Sequence, residues 1–154
     1  MLAPPSLTRD TVLVYSKDPA LDAPPDDCTD DERKAWEHRL TVARETGDWA
    51  SVLKPGQQPT RFLVRRIAGT TWRRIEDRLA AGSLGLSTAP ALVLRAALKS
   101  IENLGEFEVT HADEPGIGSI AKADVIDRLD AIAPDIVAEL GLQVLNRQRS
   151  TPGK

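Results

Sequence analysis

Six arginines and a tryptophan fall within residues 59–79 of this 154-residue chain, PTRFLVRRIAGTTWRRIEDRL. Guanidinium groups form paired hydrogen bonds with carboxylates and phosphates, and arginine and tryptophan are enriched at the energetic centres of protein interfaces. The stretch therefore predicts a contact surface for a partner. Its predicted contact residues are Arg61, Arg65, Arg66, Arg73, Arg74 and Arg78.

Nucleic acid is the alternative partner for these arginines, because they could contact phosphates while Trp72 stacks on a base. Two observations make it the less favoured one. Trp72 shares one helical face with Ile75 and Leu79, which predicts a core position. The chain as a whole is acidic, with a pI near 5.4, whereas DNA-binding domains are usually basic.

Charge is distributed unevenly along the sequence. Residues 60–99 hold eight basic and two acidic side chains, a net charge of +6, and residues 100–141 hold two basic and ten acidic ones, a net charge of −8. Two oppositely charged segments can steer association with a partner or with another copy of the chain.

A metal site is conceivable at His111, Asp113 and Glu114, but only one histidine is present and no second group has ligand spacing. We expect a solvated acidic loop there. The run Gly116-Ile-Gly118-Ser119 lacks the third glycine and the lysine of phosphate-binding loops, which favours a plain loop.

The remaining polar residues suggest no chemistry of their own. Asp124, Asp127 and Asp130 drift around a helix and indicate a solvated face, His38 is expected at the surface, and Cys28 has no histidine beside it in sequence. No acid–base or nucleophile constellation is recognisable. The sequence predicts a protein that is not an enzyme and needs no cofactor or metal.

Composition indicates a single domain with a core of its own, since 41% of residues are hydrophobic and 28% charged. Aromatic residues are only 4%, so aliphatic side chains must build that core, which favours helix packing. No apolar run approaches the roughly 20 residues that span a bilayer, and the N-terminus does not resemble a secretion signal. One cysteine suits a reducing compartment, so we expect synthesis in the cytoplasm and no membrane association.

Residues 1–28 contain five prolines, which predicts an extended arm outside the core. Within it, residues 11–15 (TVLVY) have the composition of a strand. This run can add to an exposed sheet edge of its own subunit or of a neighbour, and its predicted contact residues are Val12, Val14 and Tyr15. An ordinary strand within its own domain is the equally weighted alternative.

Residues 29–47 give the clearest local prediction, an amphipathic helix. Thr29 and Glu32 form a capping box, and Gly47 suits the position after the last turn. Trp36, Leu40 and Ala43 form its apolar stripe.

The rest of the chain predicts a small domain of class α+β, mainly α, spanning residues 29–146. A strand at 60–67 pairs with one at 106–111 in a two-stranded sheet, and residues 111–119 form a loop. Thr70 caps a helix that runs to Leu79, and Ser87 or Thr88 caps a central helix that runs to about Asn103. Two further helices cover residues 121–132 and 134–146, and residues 147–154 form a flexible basic tail.

The sequence also resembles small proteins encoded among the head and tail structural genes of tailed bacteriophages. The resemblance rests on ERKAWE at 32–37, TGD at 46–48, PTRFLVR at 59–65 and AELG at 138–141. It implies a component of the virion, such as a head–tail connector or minor structural protein, that is made in the host cytoplasm. Its partners would be other phage structural proteins and further copies of itself in a symmetric assembly. A tail-assembly chaperone that is absent from the finished particle and a nucleic-acid-binding regulator are the alternatives.

Overall fold

The computed structural model of the chain describes residues 11–82 and 88–149. Within these ranges the fold is α+β and mainly helical, which confirms the predicted class. The strands are β1 (Thr11–Leu13), β2 (Arg61–Val64), β3 (Leu98–Glu102), β4 (His111–Glu114) and β5 (Gly118–Ala121). The helices are α1 (Asp30–Thr46), α2 (Gly69–Ala80), α3 (Ala89–Ala97), α4 (Ala123–Ile132) and α5 (Ile136–Arg149), with a short 3₁₀ turn at Ala50–Val52.

A three-stranded antiparallel sheet with the order β1-β2-β3 organises the fold. Thr11 lies opposite Val64 and Leu13 opposite Phe62. Phe62 in turn lies opposite Ile101 of β3, and the register shifts by a bulge between Leu63 and Val64. The strand β2 is therefore paired on both of its edges within the chain.

Apolar side chains cover both faces of this sheet. On one face a main core unites the sheet with helices α2 to α5, and its residues include Leu13, Phe62, Val64, Leu94 and Leu140. On the other face a small cluster packs α1 against the sheet and consists of Val14, Leu21, Trp36, Leu40, Ala43, Trp49 and Val52. Side chains of a strand alternate between faces, so β1 contributes to both groups.

The predicted N-terminal arm is wrong for residues 11–21, because this segment is part of the core. Leu13, Val14, Tyr15, Ala20 and Leu21 are all buried. Val14 is 0% exposed and Tyr15 is 7% exposed, so neither can serve as the predicted contact residue for a partner. Val12 is partly buried against the small cluster. The strand-like run 11–15 pairs with β2 of its own chain, which accounts for the burial.

Helix α1 confirms its prediction. The Thr29 side chain accepts a hydrogen bond from the Glu32 amide at 3.2 Å, and Gly47 has a left-handed φ of 76°. Trp36, Leu40 and Ala43 are its buried residues.

The central helix is shorter than predicted, and its expected second half is β3. Helix α3 stops at Ala97, and Leu98 turns to an extended conformation with φ −69° and ψ 122°. Residues 98–102 then occupy the edge of β2 that the sequence assigned to residues 106–111. An apolar run satisfies either a helix or a strand, and the open edge of β2 decides in favour of the strand.

Residues 111–119 form most of a β-hairpin, where the sequence predicted a loop. Strands β4 and β5 pair with each other in a separate two-stranded sheet, with His111 opposite Ala121. The predicted strand at 106–111 is wrong except for its last residue, His111.

Several helix ends differ from the predictions. Helix α2 begins at Gly69, with Ala68 and not Thr70 at the capping position. Thr88 provides no side-chain cap for α3, and Ser87 lies outside the described residues. Helix α5 continues through Arg149, so the first part of the predicted flexible tail is helical, and residues 150–154 lie outside the described part.

Candidate interaction surface

Helix α2 carries three of the predicted contact arginines on two different faces. Trp72 and Ile75 are buried and attach the helix to the main core. Arg78 lies one helical turn after Arg74, and the guanidinium groups of both reach the β4–β5 hairpin. Arg73 is exposed.

Arg74 and Arg78 hold the turn that joins β4 to β5. Arg74 Nη1 donates to Ile117 O at 3.1 Å, and Arg78 Nη2 donates to Pro115 O at 2.8 Å. Gly116 has a φ of 77°, and a Cβ there would lie 2.8 Å from Arg78 Nη2. The glycines at 116 and 118 thus serve a tight turn that two guanidinium groups clamp, and this function within the chain engages two of the six arginines.

Arg95 is a further structural arginine, and the sequence did not single it out. Its Nε donates to Ala121 O at 2.8 Å, and its Nη2 lies 3.2 Å from Glu114 Oε2, with only 14% of the side chain exposed. It therefore joins α3 to both strands of the hairpin. Its position in an otherwise apolar helix was the available signal, because a charge on such a helix needs a partner.

The candidate metal ligands are separated by this arrangement. Glu114 pairs with Arg95, and His111 Nε2 lies 2.9 Å from Leu98 O. Asp113 is exposed. Within residues 11–82 and 88–149, no three histidine, cysteine or acidic side chains are grouped so that they could hold a metal ion.

Three arginines remain available at the corner between β2 and α2, and we call Arg65, Arg66 and Arg73 the arginine corner. All three are exposed, and their side chains form no hydrogen bond or ion pair with any other described residue. Arg61 is half-buried and donates to Gln58 Oε1 at 3.1 Å. Trp72 is 5% exposed, so its indole is not a surface on which a base can stack.

Acidic side chains line other parts of the surface. Asp124, Asp127 and Asp130 of α4 are exposed, as are Glu106, Glu108 and Asp113. Neither of the two salt bridges in the described part of the chain, Lys17–Asp135 and Arg95–Glu114, involves the arginine corner. The exposed acidic side chains named here and the arginine corner are thus not paired with each other within the described part of the chain.

A second polar contact ties the N-terminal segment to α5, and we call it the N-terminal clasp. Ser16 N donates to Glu139 Oε2 at 2.8 Å, and Lys17 Nζ lies 2.7 Å from Asp135 Oδ2. The Tyr15 hydroxyl donates to Asp135 Oδ1, and the Ser16 hydroxyl donates to Glu139. Hydrogen bonds from Lys17 and Tyr15 lower the pKa of Asp135, and burial followed by the bond to Asp135 raises the pKa of Tyr15.

Two cavities flank the N-terminal segment. A pocket of about 250 Å³ has walls formed mainly by Tyr15, Phe62, Leu104, Ile132 and Ile136. A wider groove of about 690 Å³ lies between α1 and residues 16–26. The smaller pocket is mostly apolar and has Lys17 and Asp18 in its lining, a composition that suits an apolar group of a ligand or partner.

No known protein family, no curated protein and no solved structure matches this chain significantly. No helix in residues 11–82 and 88–149 is long and apolar enough to cross a membrane. The resemblance to tailed-phage proteins therefore stays a prediction from the sequence.

Proposed function

We propose that this protein is a non-enzymatic component of a tailed-phage particle that binds other virion proteins through the arginine corner. The head–tail region is its proposed location, as a connector or minor structural component. The resemblance at residues 32–65 and 138–141 supports the phage assignment, and the surface chemistry supports the mode of binding.

The observation that best supports this proposal is that the arginines of one short stretch fall into two groups, one bonded within the chain and one not. Arg74 and Arg78 bond to the hairpin, whereas the side chains of Arg65, Arg66 and Arg73 form no hydrogen bond or ion pair with a described residue. Arginine is the cation best suited to interfaces, because its planar group is weakly hydrated and binds carboxylates in pairs of hydrogen bonds. Three such groups at one corner fit an acidic surface on a neighbouring subunit.

Another copy of the same chain supplies such a surface. The exposed aspartates of α4 carry the complementary charge, and they lie outside the arginine corner. Contacts between different patches of identical subunits generate rings when the rotation closes. A homo-oligomeric ring is therefore the proposed form of the assembled protein.

The test compares two double variants with the same change of net charge. Arg66→Glu with Arg73→Glu reverses two residues of the arginine corner, and Lys34→Glu with Lys54→Glu reverses two exposed lysines elsewhere. The mass of each purified protein is measured by light scattering, alone and after mixing with the virion proteins encoded beside it.

We expect the unaltered chain and the lysine variant to form a ring or a defined complex, and the arginine variant to remain a helical monomer. Arg74 is left unchanged, because its replacement would disturb the hairpin. Normal assembly of the arginine variant would refute the proposed contact. A monomer that ignores every virion protein but binds random duplex DNA with steep salt dependence would favour the nucleic-acid alternative.

A further inference from the structure

Strand β4 forms an exposed edge of the β4–β5 sheet. It pairs with β5 on one side, and β4 and β5 form a sheet of two strands in the described part of the chain. His111, Ala112 and Asp113 are all exposed. An edge strand presents unpaired backbone groups and is a template for another strand.

The register shows which backbone groups are available. Lys122 N donates to Thr110 O at 2.9 Å, so Thr110 directs its hydrogen-bonding groups towards the β5 side. Alternate residues of an antiparallel strand do the same, so Ala112 also faces β5, while His111 and Asp113 direct their N–H and C=O groups away from it. No described residue bonds to the outward groups of His111 and Asp113, nor to the backbone of Glu108 and Val109.

Residues 106–110 lead into this edge from its N-terminal side, and Thr110 continues the pairing with β5. Their alternating sequence, EFEVT, is that of a half-buried strand, with Phe107 and Val109 packed on the main core and Glu106 and Glu108 exposed. The sequence predicted a strand here because of this alternation. The missing element is a partner strand, which the described chain does not provide.

Charge restricts what that partner can be. Residues 106–114 contain four acidic side chains and no lysine or arginine. A second copy that paired with the same edge about His111 would place Glu108 opposite Glu114, and like charges directly opposite each other are destabilising. A strand that carries lysine or arginine would meet opposite charge instead.

We propose that the outer edge of β4, which we call the β4 edge, binds an extended basic segment of a partner protein as a third strand. The backbone groups of His111 and Asp113 supply the strand pairing, and Glu106, Glu108 and Asp113 supply the preference for cationic side chains. This surface is separate from the arginine corner and does not depend on the function proposed above.

The test uses a capped peptide of about seven residues in which lysine alternates with valine and threonine, a length that matches strand addition to a short edge. The ¹⁵N-labelled protein is titrated with it, and the affinity is measured by fluorescence anisotropy. We expect shifts centred on residues 108–113 and slower amide exchange at His111 and Asp113. A peptide with glutamate in place of lysine should bind at least about tenfold more weakly.

Asp113→Pro examines the backbone contribution directly. Proline removes the outward N–H but none of the bonds to β5, a substitution that edge strands tolerate. We expect a loss of about tenfold or more in affinity, the equivalent of one or two hydrogen bonds. Asp113→Asn, which keeps the N–H and removes the charge, should lose less. Should Asp113→Pro unfold the hairpin, peptides N-methylated at alternate residues test the same bonds from the other side.

Three results would overturn the proposal. The first is no binding of the basic peptide, and the second is binding that survives both Asp113→Pro and N-methylation. The third is a dimer of the chain alone that Asp113→Pro dissociates, which would make a second copy the occupant. The Arg66→Glu, Arg73→Glu variant should bind the peptide normally. Peptide binding therefore tests the β4 edge independently of the function proposed for the arginine corner.

Discussion

Gly141 of α5 lies directly against the backbone of Pro90 in α3. A Cβ at Gly141 would be 2.3 Å from Pro90 O and 2.6 Å from Pro90 Cβ. A Cβ atom essentially never approaches a non-bonded heavy atom this closely, so the absence of a side chain at 141 sets how closely the two helices approach. These helices form the most extensive contact between elements of the fold, and Leu94 and Leu140 are fully buried beside the crossing.

Gly141→Ala should therefore destabilise the protein by at least about 2 kcal/mol, because an added methyl group forces a close-packed crossing apart. Urea unfolding followed by circular dichroism measures the loss. Gly69→Ala is the matched control, since nothing lies within 4 Å of a Cβ there. It should leave stability unchanged or raise it by up to about 1 kcal/mol. Equal effects of the two variants would contradict the packing argument.

Gln148 should be needed for the junction between β2 and α2. It is 1% exposed, its Oε1 accepts from Ile67 N at 3.2 Å, and its Nε2 donates to Ile67 O at 3.4 Å. Gln148→Ala leaves both backbone groups buried without a partner, which should cost about 1–3 kcal/mol in unfolding free energy. Asn146→Ala, an exposed change in the same helix, should cost less than about 0.5 kcal/mol.

The N-terminal clasp should make stability depend on acid through Asp135. Hydrogen bonds from Lys17 and Tyr15 lower its pKa below the ordinary carboxyl value. The folded state therefore prefers the ionised form, so this contribution is complete above that ordinary value and is lost as the pH falls through the lowered pKa. Urea midpoints measured between neutral pH and pH about 2 should show the unaltered protein losing its advantage over Asp135→Asn in acid. If the urea midpoints of the unaltered protein and Asp135→Asn differ by the same amount at every pH, Asp135 does not make stability depend on acid.

Replacement of Arg74 should affect the hairpin turn, whereas replacement of the neighbouring Arg73 should not. Arg74→Ala removes the shorter of two hydrogen bonds to Ile117 O, the other coming from Thr71 Oγ1 at 3.5 Å, and should destabilise the turn by about 1 kcal/mol, with faster amide exchange in residues 115–121. Arg73→Ala deletes the same chemical group one position earlier, where no described residue accepts from it, and should leave exchange there unchanged. Hydrogen exchange read by mass spectrometry is sufficient to compare them.

Local signals were enough to predict the elements whose causes are local. The capping pair Thr29 and Glu32 and the glycine at 47 fix α1 within its own sequence. Leu98 was assigned to the wrong element, because its run suits a helix and only the distant edge of β2 makes it a strand. The proline content near the N-terminus likewise concealed that Leu13 and Tyr15 are core residues.

The candidate surface, too, could be predicted only where its causes are local in sequence. Composition indicated that arginines would be exposed, and Arg65, Arg66 and Arg73 are. Sequence could not show that Arg74 and Arg78 are engaged, because their acceptors at residues 115–117 are about forty positions away and belong to a hairpin that was predicted to be a loop. The side chains left for a partner emerge only after the chain's own hydrogen bonds are assigned.

The strand β1 has a consequence for how the molecule unfolds. Val12 and Val14 pack into the small cluster, while Leu13 and Tyr15 pack into the main core. Peeling this short segment away would expose apolar surface on both sides of the sheet at once. We therefore expect the two apolar layers to unfold as one cooperative unit. Helix α1 should not melt on its own, because β1 joins the layer beneath α1 to the main core.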